Sequence, residues 1–178
     1  MNVILAQGIL GLSYRDPDLC TRRHPVMKSL MQKVIKLTAE LETLKLRPII
    51  AFTAYADTQS NVKAGNVIKF SHTRTNEGNA FETSTSVFTV PVTGMYMFQC
   101  AIMTKHPSSL EAHLSVNGKD KMLIYPDAKH SDWNTATNSI VLKLKRGDRV
   151  WMEKNGSLGR SPFYVHWAFS TFTGLLLH

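Results

Sequence analysis

Two cysteines, Cys20 and Cys100, are too few for a disulfide scaffold. Cys100 lies in an apolar run and reads as a small buried hydrophobe. Cys20 lies in a polar, proline-containing segment, where an interchain Cys20–Cys20 bond is one option. No stretch reaches the roughly 18 apolar residues of a membrane span. The N-terminal MNVILAQGILGL is apolar, but it has no basic residues ahead of it and no small-residue cleavage site behind it, so it is no clear signal peptide. No Gly-X-Y repeat occurs, which excludes a collagen triple helix. Runs of Lys and Arg never exceed the pairs Arg22-Arg23 and Lys145-Arg146. The net charge of +8 therefore reads as a solvated basic surface, not a nucleic-acid site. Residues 1–50 hold 8 basic and 4 acidic side chains and residues 51–178 hold 13 and 9, so the excess is denser near the N-terminus. HExxH, GxSxG, P-loop and C-x-x-C patterns are all missing. The chain is accordingly read as no enzyme, with no catalytic residue, no cofactor and no metal ligand assigned.

Three regions can be distinguished. Residues 1–25 are irregular and turn-rich, and His24-Pro25 would end preceding structure or begin a helix. Residues 26–47 change character: Met27, Leu30, Val34, Leu37, Leu41 and Leu44 are spaced alternately by three and four. That is the a/d seam of a heptad repeat, with Glu40 at g and Lys45 at the following e able to pair between parallel chains. The seam spans roughly 27 Å of helix, which is short for a coiled coil standing alone. The alternative is an amphipathic helix lying on its own domain. A membrane-surface helix is disfavoured because the segment has no aromatic residue and Glu40 and Glu42 break its basic face.

Pro48 opens the third region, residues 48–178, where the period changes to two. Strands are predicted over 49–55, 67–70, 87–90, 95–103, 111–116, 120–125, 138–144, 149–154 and 164–177, with 73–79 and 155–162 as loops. Asn117-Gly118 is the strongest hairpin signal. In the stretch from Ser86 to Met103, Tyr96, Phe98, Cys100 and Ile102 share one face and Met95, Met97, Gln99, Ala101 and Met103 the other. Neither face carries a charge, so this strand is expected to be covered on both sides, by a sandwich core and by a second layer or subunit. Gly174, inside the last strand, points to a bulge or a close neighbour. About ten short strands argue for an all-β sandwich or jelly roll.

Residues 51–177 resemble the globular head domain of complement C1q, a branch of the tumour-necrosis-factor-like superfamily, as in soluble molluscan C1q-domain proteins. The resemblance rests on Ala51-Phe52-Thr53-Ala54, Ile68-Lys69-Phe70, Asn76 to Phe81, and above all Phe88-Thr89-Val90-Pro91-Val92-Thr93-Gly94-Met95-Tyr96-Met97-Phe98. Leu114 with Asn117-Gly118, Leu142 with Leu144, Gly147-Asp148, Val150-Trp151 and Phe169 to Leu176 complete it in order. It implies a ten-stranded jelly roll, a homotrimer, binding and not catalysis, and extracellular work in pattern recognition and innate immunity. Met95, Tyr96, Met97, Phe98 and Phe172 are then the trimer-interface candidates. Two departures stand out. A short coiled coil replaces the collagen stalk. The loop before the last strand, Gly159 to Trp167, has no carboxylate where several family members hold calcium with an acidic loop.

Two loops offer binding chemistry. Arg160, Tyr164, His166 and Trp167 group cations with aromatic faces suited to sugar rings and anionic groups. Asp127, His130 and Trp133 form a second polar and aromatic loop. The competing role for Tyr164 and Trp167 is packing in the core or a subunit interface. Asn155-Gly156-Ser157 is a glycosylation sequon. The expected function is a secreted, lectin-like trimer that binds microbial surface glycans such as lipopolysaccharide or mannose-type polysaccharide. The alternative is a cytokine-like or organiser module that binds a protein receptor.

Overall fold

The computed structural model describes residues 25–45 and 48–177. The N-terminal segment, Cys20 included, and the side chain of Leu44 lie outside the described residues. Helix α1 runs from Pro25 to Lys45. Proline at the first helical position loses no hydrogen bond there. Met27, Leu30, Val34, Leu37 and Leu41 are all exposed in the single chain, as are Val26, Met31 and Ile35. The helix and the residues from Pro48 onward are separate compact units.

Ten strands follow: β1 (Ala51–Tyr55), β2 (His72–Glu77), β3 (Phe81–Glu82), β4 (Val87–Thr89), β5 (Gly94–Lys105), β6 (Ser109–Val116), β7 (Lys119–Ile124), β8 (Trp133–Leu144), β9 (Arg149–Arg160) and β10 (Thr171–Leu177). They form two antiparallel five-stranded sheets, ordered β2-β1-β10-β5-β8 and β3-β4-β9-β6-β7. This is the jelly-roll sandwich that the sequence predicts. Asn117 and Gly118 both adopt positive φ, 51° and 78°, and close the β6–β7 hairpin as that dipeptide should. Asn117 also donates to Asp148 Oδ1 at 2.9 Å and accepts from Arg149 N at 2.9 Å, tying the hairpin to the β8–β9 turn.

The core is aromatic. Phe52 stacks on Phe81 at 4.5 Å and on Phe88 at 5.1 Å, and meets Phe172 edge-on at 5.0 Å. Phe52, Gly174 and Phe98 stand in one row across β1, β10 and β5. A Cβ at Gly174 would come within 2.7 Å of the Phe98 ring and would also strike Phe52. Gly174 therefore marks a close neighbour, not a bulge.

Several expectations change. Tyr96, Phe98 and Phe172 are fully buried within one subunit and have no exposed surface to give a neighbour. They are core residues because the inward positions of β5 and β10 face the opposite sheet. Met95 is 40% exposed and Met97 half-buried on the outward face, so the two faces of β5 are now assigned. Residues 73–79, read as a loop, belong largely to β2, whose polar sequence HTRTNE is tolerated on an exposed sheet edge. Residues 67–70 form no named strand, although Ile68 and Phe70 are buried. The last strand begins at Thr171 and not at Tyr164. β9 continues to Arg160, so Asn155 is a strand residue whose side-chain amide donates to Glu111.

Buried Lys154 explains that extension. Its Nζ donates to the carbonyls of Asn155 at 3.0 Å and Gly156 at 2.6 Å, and lies 3.8 Å from the Phe163 ring centroid. The ammonium gathers the extra residues that the register leaves unpaired opposite Glu111.

The crowding at Gly174 makes a testable statement. Gly174→Val should lower the unfolding free energy by about 1–3 kcal/mol in a denaturant titration, as overpacking of a filled core does. Thr173→Val, one residue away on the outward face, should change it far less.

Candidate functional site

Two arrangements of polar and aromatic groups stand out, on different sheets. The first lies where β5 ends and β8 begins. Lys105 and Trp133 are register partners there. The segment between β9 and β10 is pinned to the same place. Thr104 Oγ1 donates to the carbonyl of Tyr164 at 2.7 Å, and His166 N donates to the carbonyl of Met103 at 2.9 Å. Trp133 meets His166 edge-on at 4.9 Å, Phe169 meets it at 5.3 Å, and Trp167 lies parallel to it at 6.5 Å. Lys105 Nζ sits 4.4 Å from the centroid of the buried Tyr164 ring.

Two loops that the sequence offers as separate candidates thus converge through Trp133 and residues 164–169. Trp133 is 45% exposed, Trp167 56% and Phe169 64%. Ala168 holds a positive φ of 59°, and Phe169 N donates to Trp167 O at 2.6 Å across it. This is a tight γ-turn, a costly conformation for a residue with a Cβ. The turn falls between the two most exposed rings. Tyr164 is a buried support and not a contact surface. Arg160 lies at the end of β9 opposite Ser109, and no ring contact joins it to the cluster. Asp127 is turned to its own loop, where its Oδ1 accepts from Lys129 N at 2.9 Å; His130 is exposed nearby.

The second arrangement was missed by the sequence reading. His113 on β6, Asp120 on β7 and Glu153 on β9 meet on the outward face of the other sheet. His113 and Glu153 are direct register partners. The β6–β7 hairpin returns Asp120 opposite Ser115, two residues from His113. Asp120 Oδ1 and Glu153 Oε1 each lie 2.8 Å from His113 Nε2. Glu153 Oε2 accepts a hydrogen bond from Trp151 Nε1. The spacing of 7 and 33 residues fits no linear metal motif, so the one local clue was a histidine at an outward position beside a hairpin.

The family model for the C1q domain matches residues 51–177. The chain belongs to the C1q-domain family. It is 36% identical over 146 residues to the heavy metal-binding protein HIP of Mytilus edulis, covering 82% of this chain and 68% of that protein. It is 39% identical over 132 residues to human complement C1q tumor necrosis factor-related protein 3, covering 72% of this chain and 51% of that one, so it spans about half of that relative. The globular domain of zebrafish complement 1qA superposes with a TM-score of 0.59 at 21% identity, covering 73% of this chain and 98% of that structure. The Eiger TNF of S. frugiperda gives 0.55 at 17%, covering 74% and 94%; both likenesses concern the fold. C1q/TNF-like domains typically form trimers and are generally not enzymes. No helix among the described residues is long and apolar enough to cross a membrane.

The two clusters differ in tryptophan exposure, and quenching reads that out. Acrylamide should quench emission from Trp133 and Trp167 readily. The double variant Trp133→Phe/Trp167→Phe, leaving half-buried Trp151, should lose most of the accessible component.

Proposed function

We propose that this chain is a secreted homotrimeric recognition protein that binds polysaccharide, including microbial surface glycans, at the aromatic end of its sandwich. The observation that carries the reading is the convergence of Trp133, Trp167 and Phe169 around His166, with about half of each ring open to solvent. Flat apolar faces beside the cation of Lys105 suit sugar rings and the anionic groups of bacterial polysaccharides. Residues 48–178 form the head, and α1 serves as a short trimeric coiled coil whose seam is the exposed a/d row. The subunit contact is the outward face of the first sheet, where Met95 pairs with Leu177, and Met97 with both Leu175 and Val141. Three weak sites held together bind a repeating surface far more tightly than one.

A second reading is heavy-metal binding, as the name of the mussel relative states for that protein. The His113, Asp120 and Glu153 group favours it here.

A glycan array and a microbe pull-down test the first reading. The full chain should bind, and Trp167→Ala should weaken binding at least tenfold with its mass in light scattering unchanged. Silence of the wild type on both assays, or a Trp167→Ala variant that keeps both its mass and its binding, overturns it.

The assembly is tested separately. Light scattering should give three chains for the wild type, and Met97→Glu should shift the mass toward smaller species. A wild-type monomer would remove the avidity argument.

A further inference from the structure

The structure assigns a single divalent transition-metal site, of the zinc class, to His113, Asp120 and Glu153 on the outer face of the β3-β4-β9-β6-β7 sheet. This rests on the heavy-metal reading and gives it an address. The argument begins with hydrogen-bond supply. Two carboxylate oxygens converge on one ring nitrogen, each at 2.8 Å. A single Nε2–H can point well at only one of them. His113 is 3% exposed and its Nδ1 has no partner. Ser115 Oγ, fully buried two residues along the same face, has none either. These are the two buried side-chain polar atoms without a partner among the described residues. Unpaired buried polar atoms are uncommon in folded proteins, and a missing ion or water is among their ordinary explanations. An ion held at Nε2 leaves the ring proton on Nδ1, so these two atoms mark the patch as incompletely satisfied, while the ligand position itself is marked by the two carboxylate oxygens that converge on Nε2.

Charge points the same way. With neutral histidine, the two carboxylates give the cluster a formal charge of −2. One proton on His113 removes half of that, whereas one divalent cation removes all of it. The donor set of one imidazole nitrogen and two carboxylate oxygens suits zinc-class ions, with solvent filling the remaining position beside Asp120. It offers too few oxygens for calcium and no thiolate for a strictly soft metal. The three donor atoms lie within 4.8 Å of one another. Tetrahedral bonds of about 2.1 Å set donors roughly 3.4 Å apart, so each carboxylate must withdraw by about half an ångström. Asp120 has room to do so, since its side chain is 55% exposed.

Trp151 is the positioning residue. Its indole N–H holds Glu153 Oε2, which leaves Oε1 turned to His113. Such outer hydrogen bonds orient a ligating carboxylate and raise metal affinity. Glu111 is already engaged by Asn155, and no fourth protein ligand is needed.

The test uses the full chain, stripped with a chelator and titrated with Zn²⁺ by calorimetry, then with Co²⁺ by visible absorption. We expect one Zn²⁺ per chain, a change in Trp151 emission, and Co²⁺ bands of tetrahedral intensity. Asp120→Asn keeps the shape of an exposed side chain; it should melt like the wild type without metal, bind Zn²⁺ at least tenfold more weakly and lose the Co²⁺ bands. Glu153→Gln should do the same. Trp151→Phe should keep one equivalent with affinity reduced by about tenfold or more and an altered Co²⁺ spectrum. If the wild type binds neither ion, this site and the heavy-metal reading both fail. If the wild type binds but Asp120→Asn and Glu153→Gln bind equally well, the assignment fails while the chain's metal binding stands.

Discussion

The head depends on an empty space. Gly174 stands between Phe52 and Phe98 in one row of the first sheet, and the absence of a side chain there lets the two rings close over β10. Phe52 is thereby free to stack on Phe81 and Phe88 from the opposite sheet. Phe172, Tyr96, Phe98 and Phe70 pack around that stack. Aromatic rings bury much apolar area, so a few of them set the spacing of both sheets. Once the inward faces are committed to this core, each strand has only its outward positions left for function.

Period-two alternation made much of this legible. It separated the Tyr96 face of β5 from the Met95 face, although not which of them met the core. The Asn117-Gly118 hairpin was equally plain. Boundaries were less so. HTRTNE reads as a loop because nothing in it is apolar, yet β1 recruits it as an edge strand by backbone pairing, with His72 stacked on Tyr55 and Arg74 over the same ring. The run from Tyr164 reads as strand because it is apolar and aromatic. The γ-turn at Ala168 breaks it, and no residue type there announces a positive φ.

The sites were legible in proportion to how local they are. The stretches 127–133 and 160–167 were visible as two candidate loops, each with its own aromatic content, whereas Phe169 was read only as part of the last strand. Their meeting depends on β5 lying between β8 and β10, which only the sheet order supplies. The His113 cluster is a product of register. It needs β6 to pair with β9 so that His113 faces Glu153, and a bulge after Leu114 so that Asp120 comes opposite Ser115. A one-residue slip in either pairing would send a ligand to the core face.

That dependence separates the two sites energetically. The aromatic end is built on strands of the first sheet and an intervening segment held by backbone hydrogen bonds. The His113 group is built on three strands of the second sheet. They share no residue and no hydrogen bond, and sites without shared partners contribute independently. An ion at the proposed His113 site would therefore have no direct route to the aromatic end. A metal can act on recognition only by stabilising the head as a whole, since an ion bound to the folded state alone shifts the folding equilibrium and leaves the shape of a distant surface unchanged.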